Sequence, residues 1–351
     1  MNADIFAEWL RRQGHRVVRT PSSYWYEAGP RVYQAFPYHR LIQPSARELR
    51  TLTLGRGIAA LRYSTPLNAP QGRVSYHVVL RSPYNLETLR AQARNGVRRG
   101  LSRFQVERIA FERLAEEGWS LQADTLERQG RTKSMRQAEW QRICRAAEGL
   151  PGFEAWGAIC EGELAAALLT ARIDDTCCVP YALSHSRFLR EHVNNALFYT
   201  VSCDMLAREG VAGIFFTLQS LDAPESVDEF KFRMSLMAEP VRQRVVLHPC
   251  LQPFATRRTH ALVLRLLARD PGNPVLAKAE GMLRFHLEGK RPLEAQHWPA
   301  CLSEYRAHMT VVPAPDREDA ASRHEIRTCE AFNVPVSLPG GARHEAARTR
   351  S

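Results

Sequence analysis

The sequence predicts an α/β (α+β) protein: two tandem units with mixed central sheets flanked by helices, then a C-terminal helical extension and a disordered tail. Three observations predict it. Segments with helical spacing of apolar residues alternate with short strand-like runs as far as Leu247. The alternation passes through two rounds, residues 1–109 and 110–250. Beyond Pro249 the strand-like runs stop. Two helical patterns cover 251–309, and from about residue 310 Pro, Ala, Arg and Glu recur without a period.

In the first round, Ile5, Phe6, Trp9 and Leu10 share one face of a helix over 3–13 that Gly14 stops. Strand-like pieces follow at His15–Thr20, Tyr24–Glu27 and Arg31–Phe36, with Ala28-Gly29-Pro30 as the turn between the last two. Ser45 and Glu48 have the spacing of a capping box and open a helix to about Leu54. Ile58–Ser64 and Val74–Leu80 read as strands. Asn85–Arg103 reads as a basic helix: Leu86, Leu89, Ala93 and Val97 form its apolar stripe, and Arg90, Arg94, Arg98, Arg99 and Arg103 load the rest. Phe104–Ile109 returns as a strand.

The second round opens with helices at Phe111–Gly118 and Leu121–Arg128, and a third capped by Ser134 and running to about Glu148. Phe153–Cys160 and Leu164–Ile173 form a hairpin about Glu161-Gly162-Glu163, and Asp174-Asp175 turns into a third strand, Thr176–Ser184. Asn194 or Asn195 is the expected cap of a helix over Ala196–Glu209. Gly213–Leu218 is an apolar strand, Asp228–Leu236 a short helix and Glu239–Leu247 a last strand. Arg257–Arg269 and Pro274–Leu287 are the two helices of the extension.

Composition narrows the function. The formal net charge is +11 over 351 residues, and only four of the 48 basic residues are lysines: Lys133, Lys231, Lys278 and Lys290. That balance permits anionic ligands, since guanidinium groups clamp phosphates and carboxylates with paired hydrogen bonds. It is also the mark of an arginine-biased composition, the plainer reading of the two. The eight cysteines include no C-x-x-C pair, and the adjacent Cys177 and Cys178 read as small core residues in a reducing compartment. No apolar run approaches the roughly 20 residues of a bilayer span. The N-terminus lacks the regions of a signal peptide, so a cytoplasmic protein without a transmembrane segment is expected. The motifs of zinc hydrolases, P-loop NTPases, serine hydrolases and dinucleotide-binding dehydrogenases are absent, and the histidines lack ligand spacing, so no metal is expected.

The order hairpin, strand, helix, strand, helix, strand over 153–247 resembles the core of the acetyltransferase (GNAT) fold. Arg90–Arg99 followed by Phe104–Ile109, then Thr125-Leu126-Glu127-Arg128-Gln129-Gly130-Arg131, Asn194-Asn195-Ala196-Leu197 and Asp228-Glu229-Phe230-Lys231-Phe232-Arg233 together resemble the FemAB-type aminoacyltransferases and the related BioF2-like acyltransferases. The resemblance covers roughly residues 30–248. It implies two GNAT-like units and transfer of an acyl group from an activated donor, acyl-CoA or a similar carboxyl, to an amine or glycan-precursor acceptor. The alternatives are aminoacyl transfer from charged tRNA to a cell-wall precursor, which the positive charge permits, and a catalytically silent binding module. Ordinary acetyl-CoA enzymes carry a glycine-containing loop before the long helix. Here that stretch reads Arg187-Phe188-Leu189-Arg190-Glu191-His192-Val193-Asn194, with both glycines missing.

Acyl transfer needs the donor held, the amine neutral, the oxyanion stabilised and the leaving group protonated. Arg187, Arg190, Asn194 and Asn195 are the candidates for gripping the donor at a helix N-terminus. Lys231 is the candidate for steadying a phosphate or the developing negative charge, by resemblance. Asp222 would orient or deprotonate the amine, Tyr181 would protonate the leaving group, and His185 would act as a base at neutral pH. Arg98 and Arg99 would clamp an acidic acceptor or a donor phosphate. Each also has a plain reading as a cap, a loop residue, a packed strand end or a solvated helix face. A splayed strand Thr176–Ser184 would leave backbone N–H groups for the oxyanion.

Overall fold

The first half of the chain contains α1 (Ala3–Arg12), β1 (Val17–Arg19), β2 (Tyr24–Gly29), β3 (Val32–Phe36), α2 (Ala46–Arg50) running into a π turn at Thr51–Gly55, β4 (Ala60–Thr65), β5 (Arg73–Leu80) and α3 (Ala91–Arg103). The second contains β6 (Gln105–Ile109), α4 (Phe111–Glu116), α5 (Gly118–Arg128), α6 (Gln137–Ala147), β7 (Phe153–Cys160), β8 (Glu163–Ile173), β9 (Thr176–Ser184), α7 (Val193–Leu206), β10 (Gly213–Leu218), α8 (Glu229–Arg233) and β11 (Met237–Leu247). The extension holds α9 (Arg257–Arg269), α10 (Pro274–Glu288) and α11 (Ser303–Val311). This computed structural model describes residues 2–130, 135–221 and 228–311. The expected cap Ser134 and, of the tail expected to be disordered from about residue 310, everything from 312 onward lie outside the described residues; residues 310 and 311 belong to α11.

Among the described residues the strands form a single mixed sheet of eleven, in the order β1-β2-β3-β4-β11-β5-β10-β9-β8-β7-β6. Each half repeats one motif. β1, β2 and β3 form an antiparallel meander, α2 crosses over, and β4 pairs in parallel with β3. β7, β8 and β9 do the same, α7 crosses over, and β10 pairs in parallel with β9. Two units of one topology are thus present. They share one continuous sheet across the expected boundary at 109/110. β11, from the second half, lies between β4 and β5 of the first and pairs antiparallel with both.

β5 is the centre of this arrangement, and every one of its residues is buried. A strand covered on both faces carries apolar groups on both. Val74, Tyr76, Val78 and Leu80 pack with Val97 of α3 and with Leu197, Phe198 and Val201 of α7. Val79 faces the other core, built with Phe6 and Trp9 of α1 and Trp140 and Ile143 of α6. Full burial of such a side chain contributes about 1.5–3 kcal/mol. Ser75 and Gln243 occupy a buried polar file, where Gln243 donates to Ser75 Oγ at 2.7 Å and Ser75 donates to Gln219 Oε1 at 2.9 Å.

α3 begins at Ala91 rather than at the expected Asn85. The Asn85 side chain accepts from the N–H groups of Glu87 (2.8 Å) and Thr88 (3.1 Å), which makes a local turn instead of a helix. α3 lies tightly against the start of α7. A methyl group at Gly100 would stand 2.6 Å from the His192 carbonyl oxygen, and one at Gly96 would stand 2.9 Å from Asn195 Nδ2. The two glycines, one turn apart, are what allow the backbones to approach.

In the extension, Asn273 caps α10 by accepting from Val275 and Leu276 N–H, and Pro274 occupies the first turn, where a missing N–H costs nothing. α10 buries Met282 and Phe285 against β4 and β11. His286 donates from Nδ1 to the Val245 carbonyl at 3.0 Å. No helix among the described residues is long and apolar enough to cross a membrane.

Candidate functional site: a fork between two parallel strands

β9 and β10 pair over only three positions: Thr176 with Gly213, Cys177 with Ile214, and Cys178 with Phe215. Past that point each strand slips against its other neighbour. The β8–β9 register shifts between Leu169 and Ala171, which leaves Val179 and Pro180 in a bulge, and the β5–β10 register shifts between Phe215 and Thr217. Pro180 has no N–H to offer a neighbour, and prolines inside sheets are confined to edges and bulges. The paired strands therefore part at Val179 and Phe216, as the splayed-strand expectation required.

Two clefts meet in this fork. The larger, of about 750 Å³, reaches α5, α8 and α10; Arg62, Thr125, Arg128, Asp228, Lys231 and Lys278 are among its polar lining. The smaller, of about 380 Å³, opens toward α1 and α6 and is lined by Trp9, Tyr26, Tyr38, Glu139, Arg142 and Phe215 among others. Val179, Pro180, Tyr181, Phe216, Thr217 and Leu218 line both, so both clefts border the gap between the strands.

The end of β9 is fixed by α5. Thr125 Oγ1 donates to the Ser184 carbonyl at 3.3 Å and lies 3.2 Å from the Ser184 N–H, while Arg128 donates to the Ser184 carbonyl at 2.8 Å and to Ser184 Oγ at 3.1 Å. Asp124 pairs with Arg128 Nε at 2.8 Å and accepts from the Ser186 hydroxyl at 2.7 Å. Burial would raise the Asp124 carboxyl, but the bonds from Ser186 and Arg128 outweigh it and hold it below the ordinary carboxylate value. The segment that resembled the FemAB group, Thr125 to Gly130, lies along this wall.

Lys231 lines the larger cleft. It donates to Asp228 Oδ1 at 2.6 Å, and Tyr76 donates to Asp228 Oδ2 at 2.9 Å. Tyr181 lines both clefts, its ring edge-on to Trp140 at 5.4 Å. Burial pushes its phenol well above the usual range, so it keeps its proton at neutral pH.

The other expected residues do not meet at the fork. His185 is a capping residue: Nδ1 accepts from the Arg187 N–H at 3.3 Å, lies 3.3 Å from Asp124, and lines neither cleft. Arg187 pairs with Glu163 and covers the Phe188 ring, and Arg190 is exposed on the same 3-10 turn, Ser186–Glu191. The long helix starts at Val193, and its N-cap is His192 in a left-handed conformation (φ 64°), not Asn194 or Asn195. Asn194 instead donates to Ser184 Oγ at 3.3 Å, and Asn195 to the Met234 sulfur at 3.2 Å. Arg98 and Arg99 are exposed on α3 away from both clefts. Asp222 lies outside the described residues.

Three residues at the fork escaped the sequence reading. Asp228 had a signal, its i,i+3 spacing to Lys231 on a short helix. Arg128 stood inside the segment of resemblance. Pro180 stood inside an otherwise regular strand pattern, where proline marks a bulge. Among the described residues no cluster of His, Cys, Asp and Glu has the geometry to hold a metal ion.

No family model and no curated protein matches the sequence. Among solved structures the chain is similar to the C-terminal domain of a protein described as a lysylphosphatidylglycerol synthetase from Agrobacterium fabrum, at 12% identity and a TM-score of 0.46, over 75% of this chain and 91% of that one. It is similar to FemX at 12% identity and a TM-score of 0.49, over 71% of this chain and 92% of that one. L-PGS from Bacillus licheniformis matches at 12% identity and a TM-score of 0.42, over 76% and 97% of the two chains. At such identities the chemistry of those proteins is not carried over to this one.

Proposed function

We propose that this protein is an N-acyltransferase that draws an activated carboxyl into the fork between β9 and β10 and passes it to an amine. The observation that carries the reading is the parting of two parallel strands at Val179 and Phe216, with a cleft on either side. In this reading a backbone N–H beside the parted strands would donate to the oxyanion. The amine nitrogen attacks the carbonyl carbon and the new C–N bond forms. The bond to the donor's oxygen or sulfur then breaks. Tyr181 supplies the proton that the leaving atom takes, the amine's surplus proton passes to solvent, and solvent returns a proton to Tyr181. Lys231, charged and anchored on Asp228, lowers the energy of the negative intermediate. The larger cleft, where Arg62, Arg128, Lys231 and Lys278 outnumber the carboxylate of Asp228, suits the donor's phosphates. Arg128 and Lys231 would have to share their partners Asp124 and Asp228 with them. The smaller, with Glu139 among aromatic rings, suits an amine.

One observation favours a donor other than acyl-CoA. The stretch that would cradle a pyrophosphate is a 3-10 turn with Phe188 buried and Arg187 already paired, and the helix behind it abuts Gly100. An aminoacyl ester on tRNA, whose phosphates spread over a larger surface, is the second reading. The test is a thermal-shift series with CoA, acyl-CoA and charged and uncharged tRNA at rising salt, followed by labelled-acyl transfer to an amine panel. Stabilisation by one donor class together with transfer supports the proposal. Binding without transfer from any donor would leave a silent binding module in its place.

A further inference from the structure

α9 stands apart from the rest of the molecule. None of its residues is buried, and none belongs to an apolar core. It rests on α10, where His260 meets Glu280 at 2.9 Å. Away from that contact, Arg258, Leu262, Arg265 and Arg269 recur at i, i+4, i+7 and i+11, the spacing of one helical stripe, and all four are exposed. Leu262 is 54% exposed and Phe254, in the turn before the helix, 69%; Leu251, Leu264 and Leu266 are exposed as well. From Leu251 to Arg269 there is no carboxylate. Ordinary soluble surfaces mix charges of both signs and scatter large apolar groups singly. This segment concentrates both departures.

We propose that α9 and the turn before it dock the protein on the surface of an anionic bilayer. Guanidinium groups meet lipid phosphates, and Phe254, Leu262 and Leu266 enter the boundary between headgroups and acyl chains. A bilayer fits better than an acidic protein because the leucines stand between arginines on an outward-facing helix and no residue of α9 lines either cleft of the fork. The turn that follows α9, Pro271 to Pro274, lines the larger cleft. The inference stands whether or not the fork transfers acyl groups.

The test is flotation of the full chain with vesicles of phosphatidylcholine, with and without phosphatidylglycerol. Two variants are compared: Phe254→Ser with Leu262→Ser, and Arg258→Glu with Arg265→Glu. All four side chains are exposed, so melting temperature should not move; if the serine variant melts early, Leu262→Gln replaces it. The expected result is salt-sensitive binding to the anionic vesicles, at least about tenfold weaker to phosphatidylcholine alone and in the glutamate variant, and weaker in the serine variant. No flotation with anionic vesicles, or flotation indifferent to both variants, overturns the proposal. So does light scattering that shows a dimer abolished by the same variants in a chain that binds no lipid.

Discussion

Lys231 Nζ donates to Asp228 Oδ1 at 2.6 Å, and the carboxylate is 3% exposed against 20% for the lysine. The ammonium therefore compensates a charge that water barely reaches, while keeping its own access to the cleft. Lys231→Met strands that carboxylate and should cost about 1–3 kcal/mol of stability, less than a fully buried pair because the lysine end is wet. Lys231→Met with Asp228→Asn should recover much of the loss, with a coupling energy of about 1–2 kcal/mol in urea denaturation. The single lysine variant should also lose most transfer while it stays folded at assay temperature. Unchanged turnover would remove Lys231 from the site.

Tyr181→Phe separates packing from chemistry. The edge-on contact with Trp140 survives the change, so stability should stay within about 0.5 kcal/mol. A lost proton donor should lower kcat by about 10²-fold or more with KM little altered. An equal rise in KM with kcat untouched would make the phenol a binding group instead.

Gly100→Ala reverses an ordinary helix rule. Alanine in a helix interior normally gains up to about 1 kcal/mol over glycine. Here the added methyl meets the His192 carbonyl oxygen at 2.6 Å, which is backbone and cannot turn aside. A loss of about 1–3 kcal/mol is expected in thermal or urea melts. Gly96→Ala should cost less, because its nearest atoms belong to the Asn195 side chain.

Stability should fall as pH is lowered from 7 toward 4. Burial lowers His77 to about 3, helped by His39 and Arg62, and burial with Arg40 lowers His39 to about 4. The unfolded chain protonates both rings near 6.5, whereas the folded chain resists until the lower values. Unfolding thus takes up protons in this interval, and the histidines' contribution, fully present above 6.5, drains away at up to about 1.4 kcal/mol per pH unit per ring. His77→Asn should flatten the urea-derived slope between pH 6.5 and 4.5. A slope identical to that of the parent chain would contradict the assignment.

The elements were legible because their signals are local. The stripe Ile5, Phe6, Trp9, Leu10 and the Ser45–Glu48 box gave helices where the structure has them, and the hairpin at Glu161-Gly162 gave its strands. What escaped was decided by partners distant in sequence. Asn194 and Asn195 look like caps, but α7 starts at Val193, against Gly96 and Gly100 of α3, and His192 takes the left-handed position. His185 has the chemistry of a base, but Asp124 and the Arg187 N–H claim its ring for a turn. The fork followed from Pro180 only once β8 and β10 flanked it, since a bulge is a property of a pair of strands. The place of β11 carries no local signature at all.

That place has a consequence for how the chain comes to exist. Two strands of the opening half, β4 and β5, wait for a segment translated more than 150 residues after them, since β11 begins at Met237 and β5 ends at Leu80. Until the ribosome has released that segment, both strands present raw edges to chaperones and to each other's neighbours. A nascent protein truncated before Met237 would hold every residue of its first sheet half and still be unable to close it.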